Sequence, residues 1–247
     1  MSDILKKRIL PLFLAGILTL SLVACGNTDS TSGTQDVSWD VPKTSEQDNE
    51  IPSNTSEPKE SGITESDSNN ILIAYFTAAE NSGVDAIASA SYTTIDGQAV
   101  GRIRAVADMI QENVGGDLFS IRTSIAYPTD GGELIDYAAQ EQDENARPEL
   151  TSHIENLDQY DTIFIGYPNW WADLPMAVYS FFDEYDFSGK TIIPFNVHNG
   201  SRFSRTIQTI EELEPDATVI EDGFTVSEQT VAEAAPDVAE WLENLGY

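Results

Sequence analysis

From residue 71 onward, short apolar runs alternate with stretches whose apolar residues recur at helical spacing. Five of these runs predict buried strands, at 71–76, 117–122, 161–166 and 191–197 and within 217–226. The helical stretches lie at 99–114, 133–145, 151–157, 175–185, 203–213 and 231–245. Because strands that alternate with helices are joined by right-handed crossovers, they form a parallel sheet. We therefore predict an α/β fold, a three-layer sandwich in which helices cover both faces of a five-stranded parallel sheet.

The third apolar run leads into the most unusual loop of the chain. The run stops at Gly166 and Pro168, and the loop then presents Trp170 and Trp171 side by side. Loops lie at the surface, where two adjacent tryptophans are costly unless they contact something. Two interpretations stay open: the rings line a site for a flat, mostly apolar ligand with polar edges, or they fold back over the core. Ligands of open parallel sheets bind beyond the carboxyl ends of the strands, which directs attention to the loops after strands one, three and four.

The N-terminus has the pattern of an export signal. Three cationic residues at 6–8 precede an apolar run at 9–24, which is short for a membrane-spanning helix. The run ends in Leu-Val-Ala-Cys-Gly, which resembles the lipobox of bacterial lipoproteins. We expect residues 1–24 to be a signal peptide and Cys25 to carry a lipid that anchors the protein to the extracytoplasmic face of the cell membrane. The alternative is a free cysteine after a conventional signal.

Composition limits the remaining partners. Cys25 is the only cysteine, so no disulfide can form within the chain. Residues 25–69 are rich in Ser, Thr, Asp and Glu and predict a disordered tether to a domain at 70–247. The net charge of −30 disfavours nucleic acid and electrostatic binding to an anionic membrane, which leaves the lipid as the membrane attachment.

Three segments of the predicted domain resemble flavodoxin, in particular the flavodoxin-like proteins with a Pro-x-Trp-Trp loop. These segments are 71–77, 167–175 and 185–195, and 146–150 and 199–201 fit the same pattern. The resemblance covers residues 70–247. It implies the strand order 2-1-3-4-5, a non-covalently bound FMN and a role in electron transfer.

The first loop departs from the family pattern, in which hydroxyls and backbone N–H groups cradle the FMN phosphate. Thr77 is in place, but residues 78–100 intervene, and the family's Gly-Asn-Thr corresponds to residues 101–103, so that only Gly101 is kept. Arg102 and Arg104 oppose the dipole of the helix that they begin, so they predict a bound anion, or alternatively partners among the many carboxylates. The insertion predicts a flap or small hairpin over the site; the alternative is a loose excursion.

The resemblance places the flavin ring between the third and fourth loops. Pro168 and Asn169 would contact its edge, one of the two tryptophans would stack on it, and the polar loop at 196–201 would bind its pyrimidine edge. His198 would donate a hydrogen bond to a reduced flavin or a quinone-like substrate, or protonate it; alternatively it is a surface histidine. The expected FMN-binding residues are Thr77, Gly101, Arg102, Pro168, Asn169, Trp170, Trp171, His198, Asn199, Gly200 and Ser201.

Two functional hypotheses follow. The first is an FMN-binding electron-transfer protein that passes electrons to a redox partner protein or reduces a small acceptor such as a quinone. Its reacting atoms would be those of the flavin, because the sequence has no hydrolase or nucleotide-binding loop motif and its two histidines lack the spacing of metal ligands. The second is a non-catalytic binding module that keeps the fold and has an eroded phosphate site.

Overall fold

The computed structural model describes residues 70–82 and 91–247. The predicted signal peptide, Cys25 and the predicted tether lie outside the described residues. Within them, no helix combines the length and the apolar character needed to cross a bilayer.

The described chain contains eight strands and five α-helices. The strands are β1 (Ile71–Tyr75), β2 (Tyr92–Ile95), β3 (Gln98–Gly101), β4 (Asp117–Ser120), β5 (Thr162–Pro168), β6 (Thr191–His198), β7 (Thr218–Val219) and β8 (Phe224–Ser227). The helices are α1 (Arg102–Val114), α2 (Gly131–Asp143), α3 (Met176–Glu184), α4 (Thr206–Leu213) and α5 (Ala235–Leu245).

The main sheet is parallel and runs β4-β1-β5-β6-β7, with β8 also paired to β6. Since β7 and β8 are two pieces of the fifth predicted strand, this is the predicted order 2-1-3-4-5, and the predicted three-layer α/β architecture is confirmed. The second strand, β4, lies at one edge of the sheet, in agreement with its alternating pattern of residues.

The central strands are buried on both faces, which explains their unbroken apolar sequences. Along β1, Ile71, Ile73 and Tyr75 join a hydrophobic cluster with α1 and α5, whereas Leu72 and Ala74 join a second cluster with α2, α3 and α4. Alternate side chains of a strand point to opposite faces, so these two clusters are the two interfaces of the sandwich.

Glycine is required inside β5. A Cβ at Gly166 would lie 2.2 Å from the ring of Phe195 on β6 and 2.9 Å from Ile103 on α1. Phe195 and Ile103 can therefore pack against the backbone of residue 166 only because glycine has no side chain. This packing holds the start of α1 against the carboxyl ends of the central strands.

The insertion after β1 contains the expected hairpin. Strands β2 and β3 pair antiparallel around a two-residue turn, Asp96-Gly97, in which both residues have positive φ, 50° and 78°. Such a turn matches the twist of a two-stranded ribbon. Strand β3 leads directly into α1, so the hairpin is fixed to the helix that begins at Arg102.

The helix predicted at 151–157 is wrong. This segment is irregular and ends in a single 3-10 turn at Leu157–Gln159. The Oγ of Ser152 accepts a hydrogen bond from the N–H of Arg122 at 2.9 Å and donates one to the carbonyl of Ser120 at 2.8 Å. The segment is therefore held by hydrogen bonds from Ser152 to the end of the edge strand β4, and not by hydrogen bonds within a helix.

The fifth strand is split in two. Strand β7 pairs with Thr191 and Ile192 of β6, and β8 pairs with β6 from Phe195 onward. The interruption lies opposite Pro194, which has no N–H with which to extend a ladder. Gly223 passes so close there that a Cβ would lie 2.5 Å from the Pro194 carbonyl oxygen.

Candidate functional site

A cavity of about 380 Å³ lies at the carboxyl end of the parallel sheet. Residues that end or follow four strands contribute to its wall: Thr77 after β1, Asn169 after β5, His198 at the end of β6 and Glu228 after β8. This is the edge of an open α/β sheet at which ligands bind, and the volume falls in the range of small-molecule pockets, roughly 300–1,000 Å³.

Most of the predicted binding residues line this one cavity. The lining includes Thr77, Arg102, Pro168, Asn169, Trp170, Trp171, His198 and Asn199. Gly101, Gly200 and Ser201 do not belong to the described lining. That these residues bind a ligand stays a prediction; what the structure shows is that loops far apart in the sequence bring them to one place.

The two tryptophans begin a tight turn. Trp170 and Asp173 exchange backbone hydrogen bonds of 3.0 and 3.1 Å, and the two residues between them, Trp171 and Ala172, have φ angles of 52° and 64°. A two-residue turn with both φ values positive usually contains asparagine and glycine. Left-handed backbone at a bulky residue costs roughly 1–2 kcal/mol, so surrounding contacts must hold the turn in place.

Those contacts come from two neighbouring helices. The Gln142 side-chain amide of α2 donates to the Trp170 carbonyl at 2.7 Å, and the Trp171 indole N–H donates to the Ile135 carbonyl at 3.1 Å. On the other side, the Thr209 hydroxyl of α4 donates to the Asp173 carboxylate at 3.2 Å. The turn is thus bridged between α2 and α4, across the mouth of the cavity.

The two indole rings have different environments. Trp170 packs edge-on against Phe76, with ring centroids 5.5 Å apart, and lies 5.8 Å from Tyr127 at the margin of the second hydrophobic cluster. Trp171 is 59% exposed. One ring therefore packs against the core, as the second interpretation predicts, and the other is exposed at the wall of the cavity.

Asn169 is oriented by the loop that follows β6. Its side-chain amide nitrogen donates to the carbonyl of Arg202 at 2.5 Å and to the hydroxyl of Ser204 at 3.3 Å. These two acceptors identify the nitrogen end of the amide, so the oxygen end is turned away from them. That oxygen is buried and has no hydrogen-bond partner among the described residues.

His198 offers a hydrogen-bond donor to the cavity wall. Its Nδ1 accepts a hydrogen bond from the N–H of Gly200 at 2.8 Å, so the neutral ring carries its proton on Nε2. Partial burial, and then the positive charge of Arg202, hold the pKa of His198 below its usual value. A neutral imidazole with Nε2–H is suited to hydrogen bonding, and proton donation from an imidazolium is disfavoured.

The first loop supplies two hydroxyls. Thr77 follows β1, and Ser91 precedes the hairpin, held there because its carbonyl accepts from the N–H of Arg102 at 2.7 Å. The Oγ1 of Thr77 and the Oγ of Ser91 are buried and have no hydrogen-bond partner in the part of the chain that the structure describes. Gly101 allows this arrangement, since a Cβ there would lie 2.9 Å from the Thr77 hydroxyl oxygen.

The two arginines of α1 have different surroundings. Arg104 donates to the Tyr75 hydroxyl at 2.9 Å and to the carboxylate of Asp108 at 2.6 Å. For Arg104 the structure therefore agrees with the second possibility raised by the sequence, a partner among the carboxylates. Arg102 lines the cavity and contacts the carboxylate of Glu228 at 3.3 Å. Only Arg102 is placed to meet an anion in the cavity.

Several lining residues were not predicted from the sequence. Ser91 lies in the insertion, Glu228 follows a strand with no motif, and Leu134, Ile135 and Ala138 of α2 form an apolar wall. The signal that could have indicated the wall is the helical spacing of 134, 135 and 138. Nothing local marks Ser91 or Glu228, because their positions depend on the hairpin and on the split fifth strand.

Behind Trp170 lies a buried acid. The Tyr127 hydroxyl donates to the Glu141 carboxylate of α2, 3.2 Å from each oxygen, and Glu141 is only 5% exposed. Burial raises the pKa of Glu141 to about 7, although the bond from Tyr127 opposes this shift. The folded state therefore resists ionisation of Glu141, whereas the unfolded chain ionises it at an ordinary pH.

We expect Glu141→Gln to stabilise the protein at pH 8 and to do so less at lower pH. Above pH 7 the ionised carboxyl costs the folded state on the order of 2 kcal/mol, and this cost declines as the pH falls from 7 toward the ordinary carboxyl pKa. Urea unfolding at pH 8 and pH 5.5 measures the effect, with Glu144→Gln, at the exposed residue that directly follows the same helix, as the control. An equal gain at both pH values would contradict the raised pKa.

Comparison with known proteins adds the following findings. A family model described as flavodoxin matches residues 91–245. No curated protein matches the chain. A provisionally named flavoprotein from Bacteroides eggerthii is 25% identical, with a TM-score of 0.53, and the match covers 72% of this chain and 98% of that one. A second, from Bacteroides uniformis, is 26% identical, with a TM-score of 0.54 and coverages of 70% and 97%.

Proposed function

Since the chain belongs to the flavodoxin family, we propose that its cavity binds FMN without a covalent bond and that the protein transfers electrons. Bound FMN would supply the redox chemistry. The side chains would bind it, orient it and exclude water from it. The electrons would pass to a redox partner protein or to a small acceptor such as a quinone.

The observation that carries this proposal is a set of three buried oxygens. The Oγ1 of Thr77, the Oγ of Ser91 and the Oδ1 of Asn169 are buried without a partner among the described residues, and all three residues line the cavity. An unsatisfied buried polar group costs about 1–3 kcal/mol, so such groups are rare unless something else bonds to them. A ligand with polar groups at its ends would recover this cost.

The order of the polar groups along the cavity supports FMN as the ligand. Thr77 and Ser91 lie beside Arg102 at the start of α1, where hydroxyls, a guanidinium and a helix N-terminus suit a phosphate. Asn169 and His198 lie at the ends of β5 and β6, where an acceptor and a donor suit the polar edge of a flavin ring. The exposed indole of Trp171 would cover the apolar part of the ring.

A second candidate is favoured by one observation. Among the described lining residues, Arg102 is the only lysine or arginine, and Glu228, its partner, is the only carboxylate. A cavity without net charge also suits a flat ligand that has no phosphate. The protein would then be a binding module for such a ligand and not a carrier of FMN.

The experiment that tests the proposed function is an absorption spectrum of the purified protein before and after loading with FMN and desalting. We expect retained visible flavin bands at about one FMN per chain. A parallel loading with riboflavin separates the two candidates, because a site without a phosphate subsite would hold both flavins equally. A colourless protein after both loadings would contradict flavin binding.

A further inference from the structure

The cavity contains an ion pair between parts of the chain that are remote in sequence. The Nη1 of Arg102 lies 3.3 Å from the Oε2 of Glu228, and the two side chains are 20% and 29% exposed. Both residues line the cavity beside Thr77 and Ser91. The only guanidinium in the described lining is therefore already in contact with an internal anion.

Backbone contacts fix both members of the pair. The N–H of Arg102 donates to the Ser91 carbonyl at 2.7 Å, and the N–H of Glu228 donates to the His198 carbonyl at 2.9 Å. Strand β8 holds Ser227 in register with His198 of β6, so Glu228 is carried past the end of the sheet. The carboxylate is thus a built part of the cavity wall.

A carboxylate in this position has consequences for a bound phosphate. The guanidinium of Arg102 can satisfy a carboxylate or a phosphate with the same donors, so the two anions compete for it. If the phosphate binds, Glu228 must leave the guanidinium or remain as a like charge nearby, and like charges at close range cost affinity. A ligand without a phosphate meets neither cost.

We propose that Glu228 is a specificity-determining residue of this site, which lowers the affinity for phosphorylated flavins relative to non-phosphorylated ones by competing for Arg102. This inference rests on the proposed function, because it concerns the phosphate end of the same cavity. The Arg102–Glu228 pair sets the balance between FMN and riboflavin, and the contacts to the flavin ring are left unchanged.

The test compares the dissociation constants of FMN and riboflavin for the unchanged protein, Glu228→Gln and Glu221→Gln. Glutamine keeps the size of the side chain and removes its charge. Glu221→Gln removes the same charge at an exposed residue that does not belong to the described lining. We expect Glu228→Gln to bind FMN about tenfold more tightly and riboflavin within twofold of the unchanged protein, with no change for Glu221→Gln.

The proposal is overturned by the ratio of the two dissociation constants. An unchanged ratio of the two constants in Glu228→Gln would overturn it, whether both affinities stay the same or both change together. Glu228→Ser, checked by circular dichroism, serves as the second variant if Glu228→Gln does not fold.

Failure of the proposed function gives a different result. If no variant binds either flavin, the FMN proposal fails, and inorganic phosphate becomes the probe, with thermal stabilisation as the measurement. A stronger phosphate effect in Glu228→Gln than in the unchanged protein would still support competition for Arg102. An equal effect would overturn it.

Discussion

Arg102→Ala is expected to weaken FMN binding about 100-fold and riboflavin binding less than threefold. The variant removes the only guanidinium of the described lining and leaves the Glu228 carboxylate facing the phosphate. A 100-fold loss corresponds to about 2.7 kcal/mol, the scale of one lost hydrogen bond between charged groups, here the guanidinium and a phosphate. Titration of each flavin with protein, followed by the flavin fluorescence, measures both dissociation constants.

The stability of the variant distinguishes a binding role from a structural one. Arg102 is the first residue of α1, where its positive charge opposes the helix dipole, so the lost contact with Glu228 and the relieved dipole offset each other. We expect the free energy of unfolding without ligand to change by less than about 1 kcal/mol.

The control for this experiment is Arg205→Ala. Arg205 is an arginine outside the described lining whose side chain is 59% exposed. If Arg102→Ala and Arg205→Ala weaken FMN binding equally, the effect comes from net charge and Arg102 has no specific role.

The sheet could be predicted because its central strands are buried on both faces. Such strands have continuous apolar sequences, and their alternation with helices leaves few possible topologies. The same reasoning failed at 151–157, where apolar residues at helical spacing were outweighed by the two hydrogen bonds of Ser152. It also missed the split of the fifth strand, which depends on the close approach of Gly223 to Pro194 on a neighbouring strand.

The candidate site could be predicted from two sources, the loops that follow predicted strands and the resemblance to flavodoxin. Because the carboxyl ends of parallel strands share one edge, the sheet indicated the loops that contain Thr77, Asn169 and His198, and the resemblance indicated these residues within the loops. Ser91 reaches the cavity through a hairpin whose position no local pattern encodes, and Glu228 is placed by the register of β8 on β6. The different environments of the two tryptophans could not be predicted, because they depend on a turn with positive φ at Trp171 and Ala172. The sequence of these two residues does not favour such a turn.

The two adjacent tryptophans are expected to respond in opposite ways to truncation. Trp170→Ala removes a ring that packs against Phe76 and Tyr127, so the free energy of unfolding of the ligand-free protein should fall by about 2–3 kcal/mol. Trp171→Ala removes a ring that is 59% exposed and its solvent-exposed bond to the Ile135 carbonyl, so this free energy should change less, by about 1 kcal/mol at most. Urea unfolding of both variants measures the difference.

Flavin binding should depend on Trp171, the residue whose truncation has the smaller effect on stability. Because FMN and riboflavin share the ring that Trp171 would cover, its truncation should weaken both equally, by roughly tenfold, the scale of one lost aromatic stacking contact. It should also restore part of the fluorescence that a stacked indole quenches in a bound flavin. Trp171→Phe, which keeps a ring at the same position, is the control and should retain most of the affinity.

The combination of the two measurements assigns the roles. If Trp171→Ala leaves both flavin affinities and the quenching unchanged, the exposed indole does not cover the ligand, and the left-handed turn has no binding role. If Trp170→Ala leaves stability unchanged, the edge-on contact with Phe76 does not close the core. The expected result, with loss of stability at Trp170 and loss of binding without loss of stability at Trp171, would mean that the strained turn separates two neighbouring rings for two different tasks. The turn that holds the two rings in these different environments is the one in which Trp171 and Ala172 have positive φ.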